Sequence, residues 1–238
     1  MSLQQSTKEK LKRVSTATIC TALFKRGLRQ QMVQDVRPLS PMKDVMVGEA
    51  FTLRYMPARE DLNTIDVFQD REHPQRKAIE VCPPGAVFVI DSRKDARAAS
   101  AGSILATRLM QRGIAGLVTD GGFRDADIIA DLDMPSFHSR PSAPTNLTCH
   151  QAIEFNGPIG CGDAPVFPGD VAVGDNDGVV IVPADLADEI ADEAIEMTAY
   201  EDFVTEKVQE GSSIFGLYPA TDDNALKEFD KWRQANGR

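Results

Sequence analysis

Short apolar runs that alternate with helical patterns in the middle of the chain predict strands and helices in a βαβ order. Residues 86–91 and 115–119 are apolar runs with the length of buried strands, and a third strand is predicted around 134–138. Apolar positions between 104 and 110 recur at helical spacing, and a short helix is predicted around 128–132. Strands joined by helices at such short intervals are typical of α/β domains with parallel pairing.

The stretches on either side of this centre have a different sequence pattern, which predicts strands and a hairpin. A strand is predicted at residues 45–55. The β-branched runs at 171–173 and 179–182, joined through a Gly-Asp-Asn-Asp-Gly segment at 174–178, predict a hairpin. Hairpin and βαβ content together favour a layered β/β/α arrangement over a pure doubly wound sheet. We expect one α/β domain spanning 1–238, with its core at about 45–185.

Helices are expected as N- and C-terminal extensions of this core. Ser15 is a suitable N-cap for a helix that ends at Gly27. The C-terminal helices are predicted at about 185–235, beginning with a long acidic helix from Asp185 to about Glu210. The last helix is predicted to bury three apolar side chains, those of Leu226, Phe229 and Trp232.

Charge is distributed unevenly along the 238 residues, whose formal net charge is −10. An acidic chain argues against nucleic acid as a partner. Residues 1–40 carry eight Lys and Arg against Glu9 and Asp35, whereas residues 161–210 carry fourteen Asp and Glu against Lys207 alone. These stretches are either two solvated helix faces, which we favour, or a basic arm of one subunit docked on the acidic region of another.

The chain has no apolar run near the roughly 20 residues that a membrane-spanning helix needs, so no membrane partner is expected. Residues 1–40 contain no signal-peptide apolar region. The four cysteines lie far apart and form no Cys-x-x-Cys pair, which favours reduced thiols. The expected location is cytoplasmic.

Polar residues cluster directly after the predicted strand at 115–119, in the segment Asp-Gly-Gly-Phe-Arg-Asp that ends at Arg124 and Asp125. Carboxyl ends of strands are where α/β proteins place ligands. Arg124 offers a planar fork for a carboxylate, and Asp125 a hard oxygen for Mg²⁺ or Mn²⁺. A helix N-terminus with free N–H groups, which favours anions, is predicted at Gly102, Ser103, Ile104 and Leu105.

An alternative interpretation is equally compatible with these residue types. Arg124 and Asp125 would then form an ion pair that caps the short helix after Asp125. Other catalytic motifs are absent: the sequence has no dinucleotide-binding glycine pattern, no P-loop, no Gly-x-Ser-x-Gly and no His-Glu-x-x-His. The three histidines are interpreted as structural.

Beyond residue types, the segments 102–105, 112–125, 158–162, 168–170 and 175–183 together resemble the regulator of ribonuclease activity A-like (RraA-like) family. The Gly-Gly-x-Arg-Asp and Asp-Gly-Val-Val-x-Val-Pro elements, in that order, carry the resemblance. This family includes the 4-hydroxy-4-methyl-2-oxoglutarate aldolases. The resemblance implies a β/β/α fold assembled as a homotrimer or homohexamer, with sites at subunit interfaces.

The aldolase branch implies a class II, metal-dependent carbon–carbon lyase. It would perform retro-aldol cleavage or decarboxylation of a small anionic 2-oxo acid through a pyruvate enolate. By resemblance, backbone amides of the loop at Gly102 to Leu105 bind a substrate carboxylate, and Arg124 binds the keto acid and steadies the enolate. Asp125 would hold Mg²⁺ or Mn²⁺, largely through waters. Glu201, from a neighbouring subunit's C-terminal helix, is the candidate for the outer shell of the metal.

Ser103 departs from the aldolase pattern, which usually has Asp or Glu directly after the glycine of the loop. The loss of this carboxylate keeps two alternatives open. One is a dehydratase that uses the same enolate chemistry on a sugar-derived 2-oxo acid. The other is a non-catalytic regulator that binds ribonuclease E.

Overall fold

A mixed nine-stranded sheet forms the centre of the computed structural model, which describes residues 3–238. Two smaller sheets, of two and three strands, lie beside it. The strands are β1 (Met32–Val33), β2 (Arg37–Pro38), β3 (Met46–Pro57), β4 (Val87–Asp91), β5 (Ala99–Ala101), β6 (Gly116–Thr119), β7 (Gly122–Phe123), β8 (Ser136–His138), β9 (Arg140–Pro141), β10 (His150–Phe155), β11 (Ile159–Cys161), β12 (Ala164–Val166), β13 (Val171–Asp175) and β14 (Gly178–Val182).

Seven α-helices accompany these strands in the described residues, with short 3₁₀ turns at Ile65–Gln69, Asn146–Thr148 and Ala184–Leu186. The helices are α1 (Gln5–Leu11), α2 (Thr16–Lys25), α3 (Pro74–Val81), α4 (Ser103–Gln111), α5 (Ala126–Ala130), α6 (Ala187–Gln209) and α7 (Asp223–Asn236). No helix within residues 3–238 is long and apolar enough to span a membrane.

The main sheet runs in the order β1-β14-β13-β3-β4-β6-β8-β2, and β10 also pairs with β3. β3, β4, β6 and β8 are parallel, whereas the β13–β14 hairpin is antiparallel. The predicted parallel βαβ centre and the predicted hairpin are therefore both present, with helices connecting the central strands. These observations confirm the predicted α/β class.

Strand β4 shows why the layers form. Phe88 and Ile90 belong to a buried cluster with α3, α4 and α5, whereas Val87 and Val89 belong to a cluster that includes β11 and β12. Successive side chains of a strand point to opposite faces, so a strand buried on both faces reads as one continuous apolar run. The sheet thus lies between a helical layer and a small second sheet, as the β/β/α prediction requires.

The terminal helices pack on the hairpin. Ser15 Oγ accepts a hydrogen bond from Thr18 N at 3.1 Å, which confirms the predicted N-cap of α2. Ile19 and Leu23 of α2 are fully buried with Ile190 of α6 against the β13–β14 strands. The amphipathic faces of α1, α2 and α6 therefore bury the hairpin face that β11 and β12 leave uncovered.

The basic and acidic stretches meet within one chain. Lys25 and Arg26 of α2 pair with Glu193 of α6 at 2.9 and 2.5 Å, and Lys10 of α1 pairs with Asp192. These ion pairs lie at the surface, with the side chains of Lys10 and Asp192 42% and 64% exposed, so the two predicted solvated helix faces also contact each other. The acidic side of α6 faces the chain's own N-terminal helices.

The prediction for the last helix is wrong at one position. Leu226 of α7 is 44% exposed, whereas Phe229 and Trp232 are partly buried against Phe203 of α6. α7 has no fully buried residue. α7 packs on α6 through a small aromatic cluster. This cluster is too narrow to cover all three apolar positions of α7.

Candidate active site

Two adjacent parallel strands bring the predicted site residues together. β5 pairs with β7 in parallel, α4 follows β5 directly, and Arg124 follows β7. The Arg124 backbone N–H donates to Ala101 O at 3.1 Å, which continues the strand pairing past β7. Because both strands end at the same edge, Gly102 and Arg124 lie side by side there.

Gly102 is required by this close approach. A Cβ atom at Gly102 would lie 2.7 Å from Arg124 Cγ and 3.2 Å from Asp125 Oδ2. Such distances are shorter than van der Waals contact, so the Arg124 side chain crosses directly over the Gly102 backbone. Glycine is needed at this position because of the contact with Arg124. Its backbone is extended, a conformation that other residues also adopt.

Asp125 has an unusual backbone and an unusual partner. Its φ and ψ of 56° and 40° lie in the left-handed region, which Asp tolerates better than most residues. Its Oδ2 accepts hydrogen bonds from Ser103 Oγ at 3.0 Å and Ser103 N at 3.3 Å. Backbone strain of this kind concentrates at functional sites.

The capping alternative is wrong in its geometry. Arg124 Nε does lie 3.7 Å from Asp125 Oδ2, so the ion pair exists. The Asp125 side chain nevertheless makes no capping hydrogen bond to α5. It accepts instead from Ser103, the first residue of α4. The side chains of Arg124 and Asp125 both remain partly exposed, and both line a cavity.

The N-terminus of α4 opens into this cavity. Gly102, the N-cap residue, has no side chain to satisfy the first backbone N–H groups of the helix, and Asp125 takes only that of Ser103. The next two residues, Ile104 and Leu105, belong to the cavity lining, and Ile104 is 82% exposed. The N–H groups of a first turn carry partial positive charge and favour an anion.

The cavity has a volume of about 270 Å³, which suits a small metabolite rather than a dinucleotide. All of the predicted loop residues, together with Arg124 and Asp125, line it. The structure adds side chains from three further segments, at residues 68–76, 99–101 and 145–146. These additional lining residues are Phe68, Gln75, Arg76, Ala99, Ala101, Thr145 and Asn146.

Sequence reasoning missed the side chains in the part of the cavity wall that residues 68–76 supply. Residues 57–76 are polar and without a clean period, which predicts either a flank of the active site or a surface excursion but gives no single residue a role. The one usable signal was Pro74, since proline is favoured at the first position of a helix. It begins α3, whose first turn supplies Gln75 and Arg76 to the cavity.

This wall is held in place from behind. Gln75 is almost fully buried, and its Nε2 donates to Tyr55 Oη at 2.6 Å and to the backbone O of Ser100 at 3.0 Å. The Arg76 guanidinium lies 4.4 Å from the centre of the Phe68 ring. Partial burial lowers the pKa of Arg76.

Asp120, the first residue of the Asp-Gly-Gly-Phe-Arg-Asp segment, has a structural role. Asp120 is buried and accepts backbone hydrogen bonds from Ser92 at 2.7 Å, Lys94 at 3.0 Å and Gly162 at 3.1 Å. Burial raises its pKa to about 6 despite these three donors. Asp120 does not line the cavity, and it ties the loop after β4 to the turn between β11 and β12.

The oxygen ligands available to a divalent metal in one chain are few. Within residues 3–238 no group of three His, Cys, Asp or Glu side chains comes together. The described cavity residues offer one carboxylate, Asp125, with the Ser103 hydroxyl and the Asn146 amide. Such a set fits Mg²⁺ or Mn²⁺, because these ions are commonly held by one or two carboxylates and keep several waters.

Glu201 lies elsewhere in its own chain. On α6, its Oε2 accepts a hydrogen bond from Thr18 Oγ1 at 2.8 Å, and it borders a separate surface groove with Tyr200 and Tyr218. It is not among the residues lining the Arg124 cavity of the same chain. A contribution to a neighbouring subunit's site stays a prediction.

A family model described as "RraA-like: Aldolase/RraA" matches residues 16–181, more than half of the chain. The chain belongs to the RraA-like family. A protein of Halalkalibacterium halodurans named "Putative 4-hydroxy-4-methyl-2-oxoglutarate aldolase" is 32% identical over 169 residues, which cover 70% of this chain and 72% of that protein. The resemblance seen in the motifs is thus confirmed.

Solved structures agree with this membership in the RraA-like family. Streptomyces coelicolor RraAS2, described as an unusual member of the RNase ES inhibitor RraA protein family, is 28% identical with a TM-score of 0.75, over 85% of this chain and 97% of that one. A Pseudomonas syringae protein without assigned function, 24% identical, matches the fold with a TM-score of 0.80 over 92% and 95% of the two chains. The family therefore holds proteins named as aldolases and proteins named as ribonuclease inhibitors.

Proposed function

We propose that this RraA-like protein is a metal-dependent carbon–carbon lyase that cleaves a small 2-oxo acid by retro-aldol reaction or decarboxylation. One observation carries the proposal: Arg124, Asp125 and the open N-terminus of α4 line the same small cavity. An anion site, a guanidinium and a carboxylate are the groups that binding and enolising a 2-oxo acid requires. The aldolase name of the Halalkalibacterium halodurans relative supports it.

The chain's own residues divide this work. The N–H groups of Ile104 and Leu105 at the start of α4 bind the substrate carboxylate. Arg124, fixed over Gly102, donates to the 2-oxo oxygen and stabilises the negative charge that develops on it when the adjacent carbon–carbon bond breaks. This charge exists only in the enolate, so the interaction lowers the barrier rather than merely tightening binding.

Asp125, with Ser103 beside it, would hold Mg²⁺ or Mn²⁺ through water. The bound ion would act as a Lewis acid on the 2-oxo group. The described cavity residues include no His, Lys or Cys, so water held at Asp125 is the proposed carrier of the proton that the enolate takes up.

The proposed assembly is a homotrimer or homohexamer. In it, Glu201 of one subunit would approach the Asp125 site of the next and add a carboxylate to the outer shell of the metal. This would compensate for Ser103, which stands where the aldolase pattern has an acidic residue.

The experiment that tests this function is pyruvate release from oxaloacetate. Turnover above that of metal alone should disappear in EDTA and return with Mg²⁺ or Mn²⁺. Arg124→Ala should lower kcat by about 10²-fold or more, because it removes a donor to the developing charge. Arg13→Ala, at an exposed position outside the cavity, is the matched control and should keep full activity.

Turnover that survives Arg124→Ala, or that never exceeds the metal control, would contradict the lyase proposal. The description of Streptomyces coelicolor RraAS2 favours one second candidate, a regulator that binds ribonuclease E without catalysis. Direct inhibition of ribonuclease E, unaffected by EDTA, would identify that activity. Water loss from a sugar-derived 2-oxo acid, without pyruvate release, would identify the dehydratase instead.

A further inference from the structure

Gln75 places a buried amide oxygen without a partner in the wall of the cavity. The residue is 2% exposed, and its Oε1 accepts no hydrogen bond from any residue between 3 and 238. Gln75 is also one of the residues that line the cavity together with Arg124. A buried acceptor without a donor destabilises the fold, so such a group in a cavity wall indicates a ligand that supplies the donor.

The neighbours of Gln75 fix which atom of its amide lacks a partner. The amide atom that lies 3.0 Å from the backbone O of Ser100 must be Nε2, because a carbonyl oxygen only accepts hydrogen bonds. Tyr55 Oη donates its single proton to the same Ser100 O at 2.7 Å, so it accepts from Gln75 Nε2 at 2.6 Å and has no proton left for Oε1. Rotating the amide would therefore lose hydrogen bonds without satisfying Oε1.

Arg76, the next residue of α3, adds hydrogen-bond donors to the same part of the wall. Its guanidinium lies over Phe68, 4.4 Å from the ring centre, and it lines the cavity as Gln75 does. A guanidinium only donates hydrogen bonds, whereas Gln75 Oε1 only accepts them. Arg76 would repel a cation bound here, and a carboxylate would place its oxygens against Gln75 Oε1. A neutral group that both donates and accepts satisfies the two residues together, and a hydroxyl is the smallest such group.

This part of the wall is remote from the N-terminus of α4. Gln75 is hydrogen-bonded to Ser100 in the middle of β5, and the backbone continues extended through Gly102 to α4. A strand rises about 3.3 Å per residue, so Ser100 and Gly102 are roughly 7 Å apart. A ligand whose carboxylate binds the first N–H groups of α4 therefore meets Gln75 and Arg76 with its other end.

Resting on the proposed function, we infer that Gln75 and Arg76 bind a hydroxyl at the far end of the substrate, which is a 3-deoxy-2-oxo sugar acid with a single carboxylate. The far hydroxyl donates to Gln75 Oε1 and accepts from Arg76. Cleavage breaks the bond between C3 and C4. The 4-hydroxyl loses its proton and becomes the carbonyl of a hydroxyaldehyde, while C3 keeps the electron pair as the pyruvate enolate and then takes up a proton. The Halalkalibacterium halodurans relative, by contrast, is named for an oxoglutarate, which is a diacid.

Equilibrium binding tests this inference without requiring catalysis. 5-Hydroxy-2-oxopentanoate, 2-oxopentanoate and 2-oxoglutarate have the same chain length and end in a hydroxyl, a methyl group and a carboxylate. None of them has a 4-hydroxyl, so none undergoes retro-aldol cleavage. By calorimetry in Mg²⁺ buffer, the protein should bind the hydroxy acid about tenfold or more tightly than 2-oxopentanoate, the range of one or two hydrogen bonds, and more tightly than 2-oxoglutarate. A methyl or carboxylate ligand that binds as tightly as the hydroxy acid would overturn the inference.

Gln75→Met removes the acceptor and leaves Arg76, so it should reverse the order and make 2-oxoglutarate the tightest of the three ligands. Gln151→Met is the matched control, since Gln151 Oε1 is also buried without a partner in the described residues but does not line the cavity. It should keep the preference for the hydroxy acid. Tyr55→Phe removes a partner of Gln75 Nε2 and leaves Oε1, so it should lower the melting temperature and keep the preference. An unchanged order in Gln75→Met would overturn the inference.

A kinetic arm separates this inference from the proposed function. 4,5-Dihydroxy-2-oxopentanoate releases pyruvate and glycolaldehyde, whereas 4-hydroxy-2-oxopentanoate releases pyruvate and acetaldehyde, and the two substrates differ only in the far hydroxyl. The dihydroxy acid should have a KM about tenfold or more lower, and Gln75→Met should abolish this difference. If neither acid is cleaved but the Gln75-dependent binding preference is present, the lyase proposal fails while the hydroxyl site stands. If both are cleaved with equal KM, the lyase proposal stands and the inference fails.

Discussion

At the scale of single residues, Ser103 has a defined position beside Asp125. Its hydroxyl donates to Asp125 Oδ2 at 3.0 Å. An acidic residue at 103 would therefore place a second carboxylate next to the first, an arrangement that favours a divalent cation. The serine removes one negative charge from the surroundings of the metal while keeping Asp125 oriented by a hydrogen bond.

Ser103→Asp should tighten Mn²⁺ binding on the order of tenfold, because affinity for hard cations rises with the number of ligand charges. Electron paramagnetic resonance of free Mn²⁺ measures this directly, without an activity assay. Ser103→Asn has nearly the same shape without the charge, and it should leave the affinity within a few-fold of the unmodified protein. Equal affinities in the Asp and Asn variants would show that Mn²⁺ binds away from Asp125.

Gly102→Ala tests the close approach of Arg124. The added Cβ would lie 2.7 Å from Arg124 Cγ, near the base of the side chain, so the arginine must change rotamer. The Gly102 backbone is extended, with φ of −126°, and accepts alanine without strain. Oxaloacetate turnover should fall at least tenfold, since a misplaced group loses its alignment with the reacting atoms, while the melting temperature changes little. Unchanged turnover would show that Arg124 does not act from this position.

At the scale of elements, α6 contacts the N-terminal helices through a buried apolar stripe and an exposed charged rim. Ile190→Ala should lower the free energy of unfolding by about 2–5 kcal/mol, because it leaves a cavity between fully buried side chains. Glu193→Gln, which weakens the pairs with Lys25 and Arg26, should cost about 1 kcal/mol or less. Urea unfolding at fixed protein concentration compares the two, and a larger loss for Glu193→Gln would mean that charge holds these helices.

The elements that were predictable from sequence have signals within themselves. The apolar run that became β4, the Ser15 cap of α2 and the turn at Asn176 and Asp177 of the hairpin each depend on a few adjacent residues. α3 was missed because its eight residues, from Pro74 to Val81, are largely polar and include only a few buried positions. The local sequence pattern does not reveal a helix that is stabilised mainly by contacts with distant parts of the chain.

The residues of the candidate site likewise fall into some that local sequence predicts and others that it does not. Arg124, Asp125 and the loop at Gly102 belong to compact motifs, and the sequence reveals them. Arg76 is one of many arginines in the chain, and its place in the same cavity as Arg124 follows only from how α3 packs on the sheet. The pairing of α2 with α6 is likewise long-range, joining residues such as Lys25 and Glu193 that are 168 positions apart.

At the scale of the whole molecule, buried titratable groups couple stability to pH in two opposing directions. Burial lowers the pKa of all three histidines, and that of His138 to about 4. The unfolded chain then binds more protons than the native state between about pH 6.5 and 4, so stability is lost as the pH falls through that window. Asp120, with its pKa raised from 3.8 to about 6, acts oppositely and gains stability as the pH falls from 6 to 4.

His138→Phe isolates the first effect. His138 is 9% exposed and stacks on Phe123, with 5.7 Å between the ring centres. Its Nδ1 has no hydrogen-bond partner within the described residues. A phenyl ring therefore fits the same place without a titratable nitrogen. The free energy of unfolding of the variant relative to the unmodified protein should be constant above pH 7. It should then rise by up to about 3 kcal/mol as the pH falls to 4, since each pKa unit is worth 1.36 kcal/mol. Urea unfolding at half-unit pH steps measures this, with Ile190→Ala as a control whose difference from the unmodified protein does not vary with pH. A difference for His138→Phe that is equally flat would mean that His138 has the same pKa in the native and unfolded states, and that acid sensitivity arises from another group.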